Sequence, residues 1–254
     1  MDAEADVAAV TRVLANRARL TMLELLMDGR AHPAGDLARE AGVALSTASG
    51  HLSALARAGL VRAEPAGRQR RYRLSRPEVA RAIEALAVIA PRRRVSSLRA
   101  ASAAERLREG RTCYDHLAGR LGVGITDALL ARRVLRRSDG GFEVTGRGER
   151  LLGRLGVDVG AAREQRRAFA LACLDWTERR SHLAGALGAG LCDRLFELGW
   201  VDRPGSGRAA VLTEAGSAGL RGLLELDLDP AMPRPRELDH TGSLEGARGL
   251  SAEA

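Results

Sequence analysis

Lysine is missing from this 254-residue chain; all 40 of its basic side chains are arginine. Beside so much alanine and glycine, that choice reflects a GC-rich coding sequence and says nothing of function; only the placement of the charge does. Aromatic residues make up 3% of the chain, so any core must rest on Leu, Val and Ala, a composition that favours helices. Cysteine occurs only at Cys113, Cys173 and Cys192, too sparsely for a disulfide scaffold. No uninterrupted apolar run approaches the roughly 18 residues of a membrane span. The acidic opening MDAEADVAAV also lacks the apolar stretch of a signal peptide. A protein of the reducing cytoplasm, without membrane contact, is expected. A Gly-rich phosphate loop, a nucleophile elbow and a compact metalloprotease motif are absent too, so no enzymatic activity is expected.

What is present starts with charge. The net charge is +8 and the isoelectric point is near 10.8, which suits a polyanionic partner. The length fits one large domain or two to three small ones. Val7, Val10, Val13 and Leu14 recur at helical spacing between Glu4 and Ala15. After a break at Asn16-Arg17, a second helix to Met27 turns Leu20, Leu23 and Leu26-Met27 inward and closes at Gly29. Then comes GDLAREAGVALSTASGHLSALARAGLVRAEPAGRQRRYRL, Gly35 to Leu74. A short helix ends at Gly42, and a longer one opens with Ser46 as N-cap. Strands Val61–Glu64 and Arg71–Ser75 flank Pro65-Ala66-Gly67. This is the element order of a winged helix-turn-helix, which sets one helix in a DNA groove with a β-wing beside it. Pro77 opens a further helix with Val79, Ile83, Leu86 and Ile89 inward.

In the longer helix Leu45, Ala48, Leu52 and Leu55 fall on one face, which leaves small polar groups outward for phosphates and base edges. From Arg57 to Arg81, eight arginines stand against Glu64 and Glu78, a net +6. The candidate DNA contacts are Ser46, Thr47, Ser49, His51, Ser53 and Arg57 on the helix, with Arg68, Arg70 and Arg71 on the wing. For His51 a second reading stays open, as a buttress of the turn.

On these residues the N-terminal third resembles the ArsR/SmtB family of bacterial repressors. The resemblance rests on LANRARLTMLELL (Leu14 to Leu26), on Ser46-x-x-Ser49-x-His51-Leu52-x-x-Leu55, and on AGLVRAEPAGRQRRYRL (Ala58 to Leu74). It covers the first 90 residues. It implies a homodimer built through the first and last helices of this domain, a palindromic operator in double-stranded DNA, and release of that DNA on sensing a signal. A twofold dimer of this kind sets its recognition helices about 34 Å apart. The family's metal ligands do not carry over. Asp36-Leu37-Ala38-Arg39-Glu40 holds no Cys pair, and Pro77 to Ile89 offers only Glu78 and Glu84, with no His. A sensor is therefore expected elsewhere in the chain.

The second region contains an internal repeat. HLAGRLGVGITD (His116 to Asp127) returns 66 residues later as HLAGALGAGLCD (His182 to Asp193), with eight of twelve positions identical. Each copy is expected to run helix, helix, hairpin, helix, a winged-helix-like plan, joined by a helical linker over Arg163 to Trp176. The expected organisation is a winged-helix domain (1–90), an effector and dimerisation region (98–228, copies about 111–156 and 177–226), and a disordered tail (229–254). The whole is mainly α with short β-hairpins.

Cys113 and His116, three apart, would share a helix face, and the two His occupy equivalent repeat positions. Packed about a pseudo-twofold, Cys113, His116, Cys173 and His182 make a candidate Cys₂His₂ site for zinc or another thiophilic metal, with Asp115 and Asp175 as supporting carboxylates. A plainer reading also stands: the His mark a helix-packing spot and the Cys are core hydrophobes. Tyr114, Asp175, Trp176 and Arg179 form a candidate ligand pocket, with Arg111 or Arg179 as an anion partner; alternatively Trp176 only fills space. The expected function is that of a DNA-binding transcription repressor answering a small-molecule or metal effector. The alternative is a protein-interaction scaffold of winged-helix units that does not bind DNA.

Overall fold

The computed structural model describes residues 4–67, 69–91, 97–205 and 207–228. Arg68, the arginine run at 92–94 and the 229–254 tail lie outside the described residues.

The N-terminal helices begin where side chains can satisfy free backbone N–H groups. Asp6 caps α1 (Val7–Leu14), and Asn16 caps α2 (Arg17–Leu26) by accepting from Arg19 N–H at 3.1 Å. Strand β1 (His32–Pro33) leads into α3 (Ala34–Ala41), which Gly42 ends in the left-handed conformation. The chain continues through α4 (Leu45–Arg57), β2 (Val61–Ala66), β3 (Gln69–Leu74) and α5 (Pro77–Ile89). The wing is an antiparallel sheet in the order β1-β3-β2. Its strands run two residues further toward the tip than the Pro65-Gly67 loop suggests, so that Ala66 pairs with Gln69. Met22, Leu23, Leu26, Leu37, Leu52 and Leu55 are fully buried beneath it, each contributing about 1.5–3 kcal/mol of apolar burial.

Three N-terminal expectations are corrected. Helix α4 starts at Leu45 with Ala44 as an N-cap lacking any side-chain bond, so Ser46 lies inside the first turn. Leu45 is 60% exposed instead of inward, because the buried stripe of α4 begins only at Ala48. On α5 the inward face is Val79, Ala80, Ile83 and Glu84, while Leu86 and Ile89 face out.

After α6 (Leu98–Glu109) come β4 (Arg111–Cys113), β5 (His116–Ala118), α7 (Gly119–Ala131), β6 (Leu135–Ser138), β7 (Gly141–Val144) and α8 (Gly146–Leu155). A short α9 (Val159–Glu164) precedes β8 (Leu171–Leu174), β9 (Ser181–Ala184), α10 (Gly185–Glu197), β10 (Val201–Asp202), β11 (Val211–Leu212) and α11 (Glu214–Leu224). Each half therefore runs hairpin, helix, hairpin, helix, and the expected first helix of each copy is a hairpin. The cause is local. Gly119 and Gly185 sit at φ +75° and +82°, where a right-handed helix cannot pass, so the helices start there and the preceding His-Leu-Ala is extended. The linker expected to be helical is α9 followed by strand β8.

The two halves pack reciprocally: α10 lies on β5 and α7 lies on β9. A Cβ at Gly122 or Gly188 would strike the carbonyl of Leu117 or Leu183, which explains a glycine at this equivalent position of both helices. Thr126 Oγ1 accepts from Leu183 N–H and donates to the Gly122 carbonyl, stitching the halves together. β5 and β9 are thereby brought side by side. Hairpin β4–β5 also reaches the other way, since Cys113 and Ala118 belong to the N-terminal core. Its turn is held by Tyr114 N–H donating to the Met27 carbonyl at 2.7 Å.

Candidate DNA interface and a buried Cys-His cluster

Ala48, Leu52 and Leu55 anchor α4 in the core, and this orientation leaves Ser46, Thr47, Ser49, Ser53 and Arg57 exposed, with His51 half-buried. Arg70 and Arg71 are exposed on β3, opposite Pro65 and Glu64. Arg68 is outside the described residues. The wing arginines are not equivalent. Arg73 turns inward, donating to the Gly29 carbonyl at 2.9 Å and pairing with Glu64. Arg62 also pairs with Glu64, and Arg81 with Glu78. Arg57, Arg70 and Arg71 are exposed and enter no ion pair among the described residues. Leu45, expected inward, stands exposed at the start of α4.

The second constellation lies where the hairpins meet. Cys113 and His116 are directly cross-strand partners on β4–β5, not neighbours on a helix, and Cys173 pairs with His182 on β8–β9. The structure brings all four together: their donor atoms lie within 4.8 Å of one another, and the imidazole rings are 5.1 Å apart. Cys113, His116 and His182 are buried, while Cys173 is half-buried. His116 Nδ1 stands 3.2 Å from Asp115 Oδ1, and His182 Nδ1 stands 3.3 Å from Asp175 Oδ2. Nε2 of both rings is buried without a hydrogen-bond partner.

The electrostatics follow from this crowding. Cys113, then His116 and His182, crowded beside it, draw the Cys173 thiol far below its ordinary range, against the effect of burial. Cys113 moves the opposite way, pushed well up by its bond to Cys173 and by burial. Burial would lower His182, but Asp175 and Cys173 outweigh it and raise its pKa to about 9. Asp175 is buried, yet contacts with His182, Arg111, Thr177 and the Gly119 N–H hold it well below the usual carboxylate range. Two thiols and two imidazoles with free Nε2 atoms make a donor set that fits a thiophilic metal and poorly fits hard ions such as Mg²⁺ or Ca²⁺.

Cys113, Tyr114, Asp115, His116 and Cys173 line a cleft of about 410 Å³ whose opposite wall is α5. Of the pocket residues expected from sequence, only Tyr114 lines it. Asp175 is wholly buried, its oxygens taken by Arg111, Thr177, Glu178 N–H and Gly119 N–H, and Trp176 and Arg179 lie off the cleft. Arg111 is no anion partner either. It is wholly buried beside the Trp176 ring, 3.0 Å from Asp175 and 3.7 Å from Glu84 of α5. Glu84 also accepts from Arg208 at 2.6 Å. Glu84 thus joins α5 to both arginines from its place next to Ile83 on the inward stripe of the helix.

A helix-turn-helix domain model matches residues 14–64. The chain is 43% identical over 211 residues to the HTH-type transcriptional regulator YdfF of Bacillus subtilis, covering 83% of this chain and 93% of that one. It is 42% identical over 80 residues to the HTH-type transcriptional regulator CmtR of Mycobacterium tuberculosis, covering 32% of this chain and 67% of that one. Among solved structures, the homodimeric winged helix-turn-helix fragment of Mb0332 from Mycobacterium bovis is 35% identical, with TM-score 0.31, covering 35% of this chain and 89% of that one. The fold and its basic helix-wing face define a DNA-binding transcription regulator with an N-terminal winged helix-turn-helix. The chain belongs to the HTH-type transcriptional regulators. No helix among the described residues is long and apolar enough to cross a membrane.

Proposed function

We propose that the chain is a homodimeric repressor that holds a palindromic operator and releases it when the region from 98 to 228 takes up an effector. The observation that carries this reading is the exposure of the serines, threonine and Arg57 on α4 together with that of Arg70 and Arg71 on the wing. Ser49 and His51 read bases, and Arg70 and Arg71 hold phosphates. The dimer is supported by apolar residues facing solvent on the two helices named by the ArsR/SmtB resemblance: Val7 and Val10 on α1, Leu86 and Ile89 on α5. For the effector, the Cys-His cluster supports zinc or another thiophilic metal. The matching element order of the two C-terminal halves supports descent from one duplicated winged-helix-like unit. The division into 1–90 and 98–228 is functional, with DNA contact in the first part and sensing in the second.

The test is binding of the full-length protein to DNA from its own upstream region. Affinity falls steeply and linearly on a log-log plot against salt, because each phosphate contact releases counterions, and a palindromic site is preferred over scrambled duplex. A protein that ignores duplex DNA at low salt is the scaffold and not the repressor.

A further inference from the structure

Two thiols and two imidazoles meet here from two hairpins separated by some 60 residues. Three of the four side chains are sealed from water, and two imidazole Nε2 atoms have no hydrogen-bond partner. Each unpartnered buried polar atom costs about 1–3 kcal/mol, a cost that a ligand removes. His116 Nδ1 is also hydrogen-bonded to Asp115 at 3.2 Å, the arrangement that orients and strengthens a metal-bound histidine; His182 Nδ1 lies 3.3 Å from Asp175 without such a bond. We infer that Cys113, His116, Cys173 and His182 form a tetrahedral two-sulfur, two-nitrogen centre for a divalent ion of the Zn²⁺/Cd²⁺ class, and that filling it is the switch that loosens DNA. The second half of the inference rests on the repressor reading; the first half does not.

The route to the DNA-binding half is on the page. A zinc ion about 2.0–2.3 Å from each donor holds the donors about 3.3–3.8 Å apart. The donors now lie within 4.8 Å of one another, so an ion seated among them ties both hairpins to one centre. Hairpin β4–β5 is bonded to the end of α2 through Tyr114 and Met27. Hairpin β8–β9 is tied to α5 through Asp175, Arg111 and Glu84. Helix α5 carries the exposed Leu86 and Ile89 of the proposed dimer face, so a shift at the centre bears on the helix that sets the spacing of the two recognition helices.

Full-length protein, reduced and stripped of metal, is titrated with Co²⁺ and back-titrated with Zn²⁺. One ion per chain is expected, with the visible bands of a tetrahedral site and a thiolate charge-transfer band that Zn²⁺ abolishes. Cys173→Ser and His182→Gln, each checked for native circular dichroism, lose these bands and bind at least about tenfold more weakly; Cys192→Ser keeps them. No bound ion in the wild type, or an unchanged spectrum in Cys173→Ser, overturns the centre. In a separate arm, Zn²⁺ weakens operator binding about tenfold for the wild type and leaves Cys173→Ser unaffected. Stoichiometric metal binding with unaltered operator affinity overturns the switch alone. Absence of DNA binding in either state overturns the repressor reading and the switch with it, while the spectra still decide the centre.

Discussion

Arg111 and Asp175, 64 residues apart, form an ion pair at 3.0 Å with both side chains wholly hidden from solvent. Such a pair is weak evidence of net stabilisation, but removing one member leaves a buried charge alone. Arg111→Ala is expected to lower unfolding free energy by about 3–5 kcal/mol, read by urea denaturation. Arg136→Ala, whose pair with Glu143 is exposed, is expected to cost less than about 1 kcal/mol. Equal effects would show that Arg111 is not the keystone of the interface between the halves.

On the proposed reading, α4 reads bases and the wing holds phosphates. Arg70→Ala should weaken binding to specific and random duplex alike and reduce the magnitude of the salt slope by about 1. Ser49→Ala and His51→Ala should instead change site preference, with little effect on random DNA. Competition binding over a salt series separates the two patterns, and a specificity change in Arg70→Ala would reverse the assignment.

Ile89 is 79% exposed on α5. Ile89→Glu should yield a monomer with native circular dichroism, seen by analytical ultracentrifugation, and a marked loss of affinity for a palindrome with less loss for a half-site. A dimer that persists in this variant would place the interface elsewhere.

The three thiols differ in reactivity. Cys173 is half-buried, lines the cleft and has its pKa drawn down, whereas Cys113 and Cys192 are buried with theirs pushed up. Because the thiolate is the nucleophile, iodoacetamide at neutral pH should modify Cys173 first, by peptide mass mapping. Faster labelling of Cys192 would contradict the arrangement.

Asp28 is sealed at the end of α2 between Arg30 at 2.7 Å and His32 at 2.8 Å. Burial alone would raise its pKa; the hydrogen bonds from His32 and from Arg30 N–H outweigh it and bring it below the ordinary value. A lowered folded-state pKa gives stability that is complete above the unfolded aspartate value and is lost as pH falls through the folded one. Asp28→Asn should therefore be less stable than wild type by about 1–3 kcal/mol near neutrality. The gap in Tm should narrow toward pH 3, and a constant gap would refute the pH dependence.

Local signals carried most of the N-terminal domain into view from sequence. Proline at the start of α5, glycine after α2 and α3, and the apolar spacing of α4 each act within a turn or two of the chain. The same locality misled where tertiary contacts decide. Leu86 and Ile89 look like core by spacing but face out, because α5 turns Glu84 inward toward Arg111 and Arg208. The repeat with its paired histidines pointed to Cys113, His116, Cys173 and His182, yet the helix expected to carry two of them is a hairpin, since the positive φ of Gly119 and Gly185 is invisible in periodicity. Asp175 was grouped with a pocket because its neighbours Trp176 and Arg179 are conspicuous in a sequence poor in aromatics. Its partners, Arg111 and Gly119, are too distant along the chain to be read from spacing.

Hairpin β4–β5 seats Cys113 and Ala118 in the core beneath α2, with Tyr114 bonded to Met27. During synthesis, then, the DNA-binding half is not finished when Ile89 leaves the ribosome; its last stone is laid only after Ala118 has emerged. A gene fragment ending at Ile89 would encode a body without Cys113 and Ala118 in its core, so the DNA-binding part and the rest of the chain are not interchangeable cassettes.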